Sequence, residues 1–67
     1  MTYDQAKEFR MPYGKHKGKT LDEIAQTDDG LSYLDYMHGE IENGSDVARA
    51  LSAYCTDPTI AKEIDNL

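Results

Sequence analysis

Gly14-Lys15-His16-Lys17-Gly18-Lys19 is the stretch of this sequence whose residue types and spacing point most directly to chemistry. Three ammonium groups at alternate positions can meet phosphate oxygens, and glycine backbone lets an anion approach closely. Arg10 lies just upstream, and five of the seven basic residues fall within the thirteen positions Lys7–Lys19. In an extended arm Lys15, Lys17 and Lys19 share a face; in a glycine-framed turn they fan outward. His16 and Tyr13 offer rings on which an unpaired base can stack. The candidate nucleic-acid-binding set is therefore Arg10, Tyr13, Gly14, Lys15, His16, Lys17, Gly18 and Lys19. The structural reading of the same residues is the solvated tip of a tight turn, with the glycines supplying positive φ.

Other chemistries find less support. Gly14 to Thr20 ends in Gly-Lys-Thr, but a phosphate-binding P-loop needs four residues between its glycines and this chain has three. Among the acids, Asp22-Glu23 diverge on a helix, Asp28-Asp29 suit a helix start, and these and Glu40-x-Glu42 each have a structural explanation, while His16 and His38 have no Ser, Cys or carboxylate at informative spacing. Cys55, His16 and His38 are too few and too scattered for a zinc site, and a lone cysteine forms no internal disulfide. No catalytic residue, metal or cofactor is expected, and Cys55 reads as a packed side chain.

The charge is uneven. Residues 1–19 carry five basic against two acidic residues, a balance of +3, whereas residues 20–67 carry two basic against eleven acidic residues, a balance of −9. Such asymmetry suits a charged partner, and the acidic body confines any nucleic-acid contact to the basic end. At 67 residues the chain makes one domain, which buries only about 60% of its unfolded surface. The first residues lack the apolar run of a signal peptide, and no stretch approaches the ~20 apolar residues of a membrane span. A cytoplasmic protein without membrane contact is expected.

The elements that must position the loop follow from periodicity and punctuation. Residues 1–8 read as a polar lead-in with at most a helical turn. Phe9–Tyr13 alternates and predicts a short edge strand, limited by Pro12, which pairs back with Lys19–Leu21 as a β-hairpin. Thr20 and Glu23 form a capping box ahead of a short helix ending near Thr27. Asp28 or Asp29 caps the next helix, whose inner face carries Leu31, Leu34, Met37, His38 and Ile41 and which ends at Gly39 or at Asn43-Gly44. Ser45 caps a third helix lined by Val47, Ala50, Leu51 and Tyr54. Asp57 and Pro58 open a last one bearing Ile60, Ile64 and Leu67. The expected fold is α+β: a short hairpin packed on three to four short helices, with Phe9, Tyr33 and Tyr36 in the core between them and Tyr13 partly exposed.

Residues 9–24, Phe-Arg-Met-Pro-Tyr-Gly-Lys-His-Lys-Gly-Lys-Thr-Leu-Asp-Glu-Ile, resemble the MPFGK-x-KGK-x-L-x-E-I signature of the small module found at the C-terminus of exodeoxyribonuclease X and in related phage and bacterial proteins. Ser32 to Met37 is similar to the module's second block, YL-x-W-L. The likeness covers about residues 9–41; residues 42–67 are less diagnostic. Tyr13 stands for the usual Phe and Tyr36 for the usual Trp, so both positions stay aromatic. The resemblance implies an auxiliary nucleic-acid-binding role beside DNA-processing enzymes, and it carries over no nuclease activity, since these residues contain no nuclease domain.

The expectation is thus a non-catalytic module that contacts nucleic acid, DNA first, through the basic loop. The alternative is a small acidic phage-type protein that binds or inhibits a host, replication or repair protein through Asp28, Asp29, Asp35, Glu40 and Glu42 on its helical face.

Overall fold

The computed structural model describes residues 1–42 and 44–67. Its elements, in chain order, are α1 (Tyr3–Lys7), α2 (Leu21–Ile24), α3 (Asp28–Glu40), α4 (Asp46–Cys55) and α5 (Pro58–Asp65). Each start is written in the sequence. Thr2 and Gln5 form a capping box on α1, and Thr20 and Glu23 form one on α2. The hydroxyl of Ser45 accepts from the Ala48 amide at 3.0 Å, and the Asp57 carboxylate accepts from the Thr59 amide at 3.1 Å, with Pro58 in the first turn of α5. Each cap satisfies an amide that the helix itself leaves without an acceptor.

The fold is all-α, which corrects the expected β-hairpin. Among the described residues the only strand-like pairing is a single antiparallel bridge, Arg10 with Thr20. The Met11 amide donates to the Lys19 carbonyl and the Gly18 amide to the Met11 carbonyl, both at 2.9 Å. The Leu21 amide donates to the Phe9 carbonyl at 3.0 Å. Pairing stops there for local reasons. Outward, Pro12 has no amide to donate, and Gly14 and Gly18 take φ of 88° and 85°. Inward, Phe9 follows the cap of α1, and Thr20 is already the N-cap of α2.

The core gathers around α4. Val47, Ala50, Leu51, Tyr54 and Cys55 are buried on it together with Ala6, Met11, Leu21, Ile24, Leu31, Leu34 and Ile60 from the other segments. Helix α1 lies chiefly on α4, and Tyr3 stacks on Tyr54 with ring centroids 5.5 Å apart. The polar lead-in of the sequence is therefore a structural helix. The Tyr54 hydroxyl donates to Asp22 Oδ1 at 3.2 Å, so one side chain ties α4 to α1 and α2. Burial and the Asp22 carboxylate together push the Tyr54 phenol well above its ordinary range. The Cys55 thiol donates weakly to the Leu34 carbonyl at 3.8 Å, and burial pushes its pKa up to about 11.

Two expectations about α3 change. Its N-cap is Thr27, whose hydroxyl accepts from the Gly30 amide at 3.0 Å, while Asp28 and Asp29 occupy the first turn. The helix ends at Glu40 with Ile41 in extended backbone; of the expected stop residues, Gly39 lies within the helix and Asn43 lies outside the described residues. Gly30, which the sequence did not single out, stands where a Cβ would overlap the Ile24 carbonyl. Helices α2 and α3 meet backbone to backbone at that point, which only glycine permits.

Candidate functional site

The basic loop is a sequence of tight turns and not an extended arm. The Lys17 amide donates to the Gly14 carbonyl at 3.2 Å and the Lys19 amide to the His16 carbonyl at 3.1 Å. Its base is held from two directions. Met11 is buried in the core, and Arg10 Nη1 donates to the Gly18 carbonyl at 2.8 Å while standing 4.0 Å from Glu23 Oε1. Arg10, expected only as a phosphate ligand, is thus also a strut of the loop. Bonds from the Thr20 backbone and hydroxyl, with Arg10 and Lys19 nearby, hold the Glu23 carboxyl below the usual range.

Tyr33 on α3 supports the tip. A Cβ on Gly14 would come within 2.7 Å of the Tyr33 hydroxyl, and the His16 ring packs edge-on to the Tyr33 ring with centroids 4.7 Å apart. His16 therefore turns inward, and its ring is taken by Tyr33 where a base was expected. Both His16 ring nitrogens are shielded and have no hydrogen-bond partner. Desolvation, reinforced by Lys15 and Lys19, lowers its pKa and keeps the ring neutral at pH 7. The Gly18 amide is likewise used within the loop, by the Met11 carbonyl.

What remains available is the charge. Lys15, Lys17 and Lys19 are exposed. Ion pairs among the described residues are Asp4–Lys7, Arg10–Glu23 and Asp46–Arg49, so these three lysines have no carboxylate partner. The result is a firmly based turn carrying three ammonium groups without an ion-pair partner among the described residues, on an otherwise acidic chain.

Tyr13, next to the loop, is 44% exposed as expected, but Tyr36, expected in the core, is 63% exposed. Tyr33 and Phe9 are half-buried against the core. A helix advances 100° per residue, so Tyr33, Tyr36, Met37 and Glu40 follow one another along one side of α3. That side leads from the lysine turn to a groove of about 740 Å³ lined by Tyr13, Tyr36, Met37, Glu40, Ile41, Glu42, Gly44, Ser45 and Val47.

The acids proposed as an alternative surface do not form one patch. Asp28, Asp29, Asp35, Glu40 and Glu42 are all exposed. Helical geometry puts Asp28 with Asp35 on one stripe and Asp29 with Glu40 on another, about 100° away, and Glu42 lies beyond the helix end. Among the described residues no three His, Cys, Asp or Glu side chains converge on a metal-sized point, and no helix is long and apolar enough to cross a membrane.

No family model, curated protein or solved structure matches the chain. The resemblance of residues 9–41 to the exodeoxyribonuclease X module rests on the motif residues themselves.

Proposed function

We propose that the chain is a non-catalytic nucleic-acid-binding module, DNA its first candidate ligand, that holds phosphates with Lys15, Lys17 and Lys19 and with the N–H groups that Arg10 does not use on Gly18 and Glu23. The observation that carries this reading is the absence of carboxylate partners for the three loop lysines in a protein with thirteen acids. A surface selected only for solubility would place its acids near its lysines. Here Glu23, next to the base of the loop, is bound to the Thr20 cap and to Arg10. The resemblance to a module that accompanies DNA-processing enzymes supports the same reading.

The physical consequence is salt-sensitive binding. Three phosphate contacts release about three counterions, so log K should fall against log salt with a slope of about −2 to −3. Fluorescence anisotropy of a labelled oligonucleotide measures this directly. Reversal of Lys15, Lys17 and Lys19 to Glu should abolish both the binding and the slope. Undiminished affinity in the triple variant would remove the loop as the site. A protein partner at Asp28, Asp29, Asp35, Glu40 or Glu42 makes the opposite prediction: indifference to the lysines and loss on neutralising those acids.

A further inference from the structure

The exposed tyrosines beside the loop lie outside the hydrophobic core. Tyr36 is 63% exposed and Tyr13 is 44% exposed, and the ring pairs among the described residues, Tyr3–Tyr54 and His16–Tyr33, include neither. Both border the groove at the end of α3 and the start of α4, whose apolar lining comes from Met37, Ile41 and Val47. At about 740 Å³ the groove falls within the ~300–1,000 Å³ typical of small-ligand sites. Its rim carries Glu40 and Glu42.

We propose that this groove receives an unpaired nucleobase of a strand whose phosphates lie on Lys15, Lys17 and Lys19, with Tyr13 and Tyr36 as the stacking faces. The proposal rests on the nucleic-acid reading above and names its ligand: a single strand. Charge sets the orientation. The acidic rim repels phosphate, so the backbone stays on the lysine side and the base end enters. Distance permits it, because Tyr13 and Lys15 are two residues apart and their backbones stand within about 7 Å. A duplex cannot satisfy the groove without taking a base out of its stack.

The test compares three labelled ligands of equal length, about eight nucleotides, by anisotropy: a single strand, the same strand made abasic, and a duplex. The wild-type protein should bind the single strand most tightly. Tyr36→Ala should weaken single-strand binding about 5- to 150-fold, the range expected for one lost base stack, and should leave abasic binding and the salt slope unchanged. Tyr36→Phe should retain the wild-type affinity, because the ring and not the hydroxyl stacks. Exposure of Tyr36 means that melting temperature should not change, and circular dichroism checks this. If Tyr36→Ala binds all three ligands like the wild type while lysine reversal abolishes binding, the groove proposal fails and the loop reading stands. If lysine reversal leaves single-strand affinity intact, both fail. Capture of a basic apolar peptide, lost in Tyr36→Ala without any effect on oligonucleotides, would assign the groove to protein and overturn the proposal.

Discussion

Tyr54 and Tyr36 carry the same side chain into opposite surroundings, and the regions around them differ in the same way. Tyr54 is fully buried in α4, stacked on Tyr3 and bonded to Asp22. Around it the polar atoms have partners and the apolar ones have neighbours. Tyr36 stands in solvent on α3, at the end of a ridge that begins under the lysine turn. On that ridge the loop lysines lack ion-pair partners, and Tyr13 and Tyr36 lack ring partners among the described residues. The α4 region is complete within the chain, whereas the loop and groove have contacts to offer something else. A small domain with a marginal core has little reason to leave aromatic area exposed, since each buried ring removes about 150–250 Å² from water.

The comparison can be broken most forcefully on the core side. Gly30→Ala should destabilise the fold by about 3 kcal/mol or more, because the new methyl group collides with the Ile24 backbone, which has no side-chain freedom to yield. For a domain of this size that loss should appear as an unfolded or molten chain by circular dichroism at 37 °C. A cooperative, wild-type-like melt would show that α2 and α3 are not in backbone contact.

A sharper version contrasts the two loop glycines. Both have positive φ, so alanine at either should cost about 1–2 kcal/mol in backbone strain. Gly14→Ala additionally meets the Tyr33 hydroxyl, whereas a Cβ at Gly18 enters open space. Thermal or urea melts should therefore rank Gly14→Ala as the more damaging, and Tyr33→Phe in the Gly14→Ala background should recover part of the difference. Equal losses at the two positions would mean that the loop does not rest on Tyr33.

Acid titration separates the regions by pH. The folded pKa of His16 lies below its unfolded value of 6.5, so the unfolded chain binds the proton more readily. His16 thus favours folding above pH 6.5, and that contribution is lost as pH falls through 6.5 towards the folded value. Glu23, also lowered, adds a separate loss below 4.5. Melting temperature should decline from pH 7.5 to 5.5, and His16→Phe should flatten the decline over that interval. The His16 NMR midpoint should lie below 6.5; a midpoint at 6.5 would place the ring in solvent, and one above it beside an acid.

The smallest expected effect is on stability when Lys15, Lys17 and Lys19 are changed together to Glu. Lacking partners in the fold, they should alter stability by no more than about 0.5 kcal/mol each, while nucleic-acid affinity disappears. A large stability change would reassign the lysines to the core side of the comparison.

The sequence by itself determined the starts of α2, α4 and α5, the buried face of α4 and the composition of the loop. These are local properties: Thr20 with Glu23, Ser45, and Asp57 with Pro58 each bond amides within three residues, and Val47, Ala50, Leu51 and Tyr54 recur at helical spacing. The hairpin reading followed the alternation of Phe9, Met11 and Tyr13, but a ladder needs donors on both sides and Pro12, two residues beyond the Arg10–Thr20 bridge, has none. Thr27 gave way to Asp28 in the sequence reading because both residue types cap helices, and only the position of the Gly30 amide separates them. Whether Tyr36 faces inward was also beyond local pattern. Tyr33 and Tyr36 have equal propensity, and their burial depends on where the loop comes to lie. Tertiary structure decided the inward turn of His16, the double duty of Arg10 and the groove beside Tyr13, because each joins segments whose proximity is created only when the chain closes around α4.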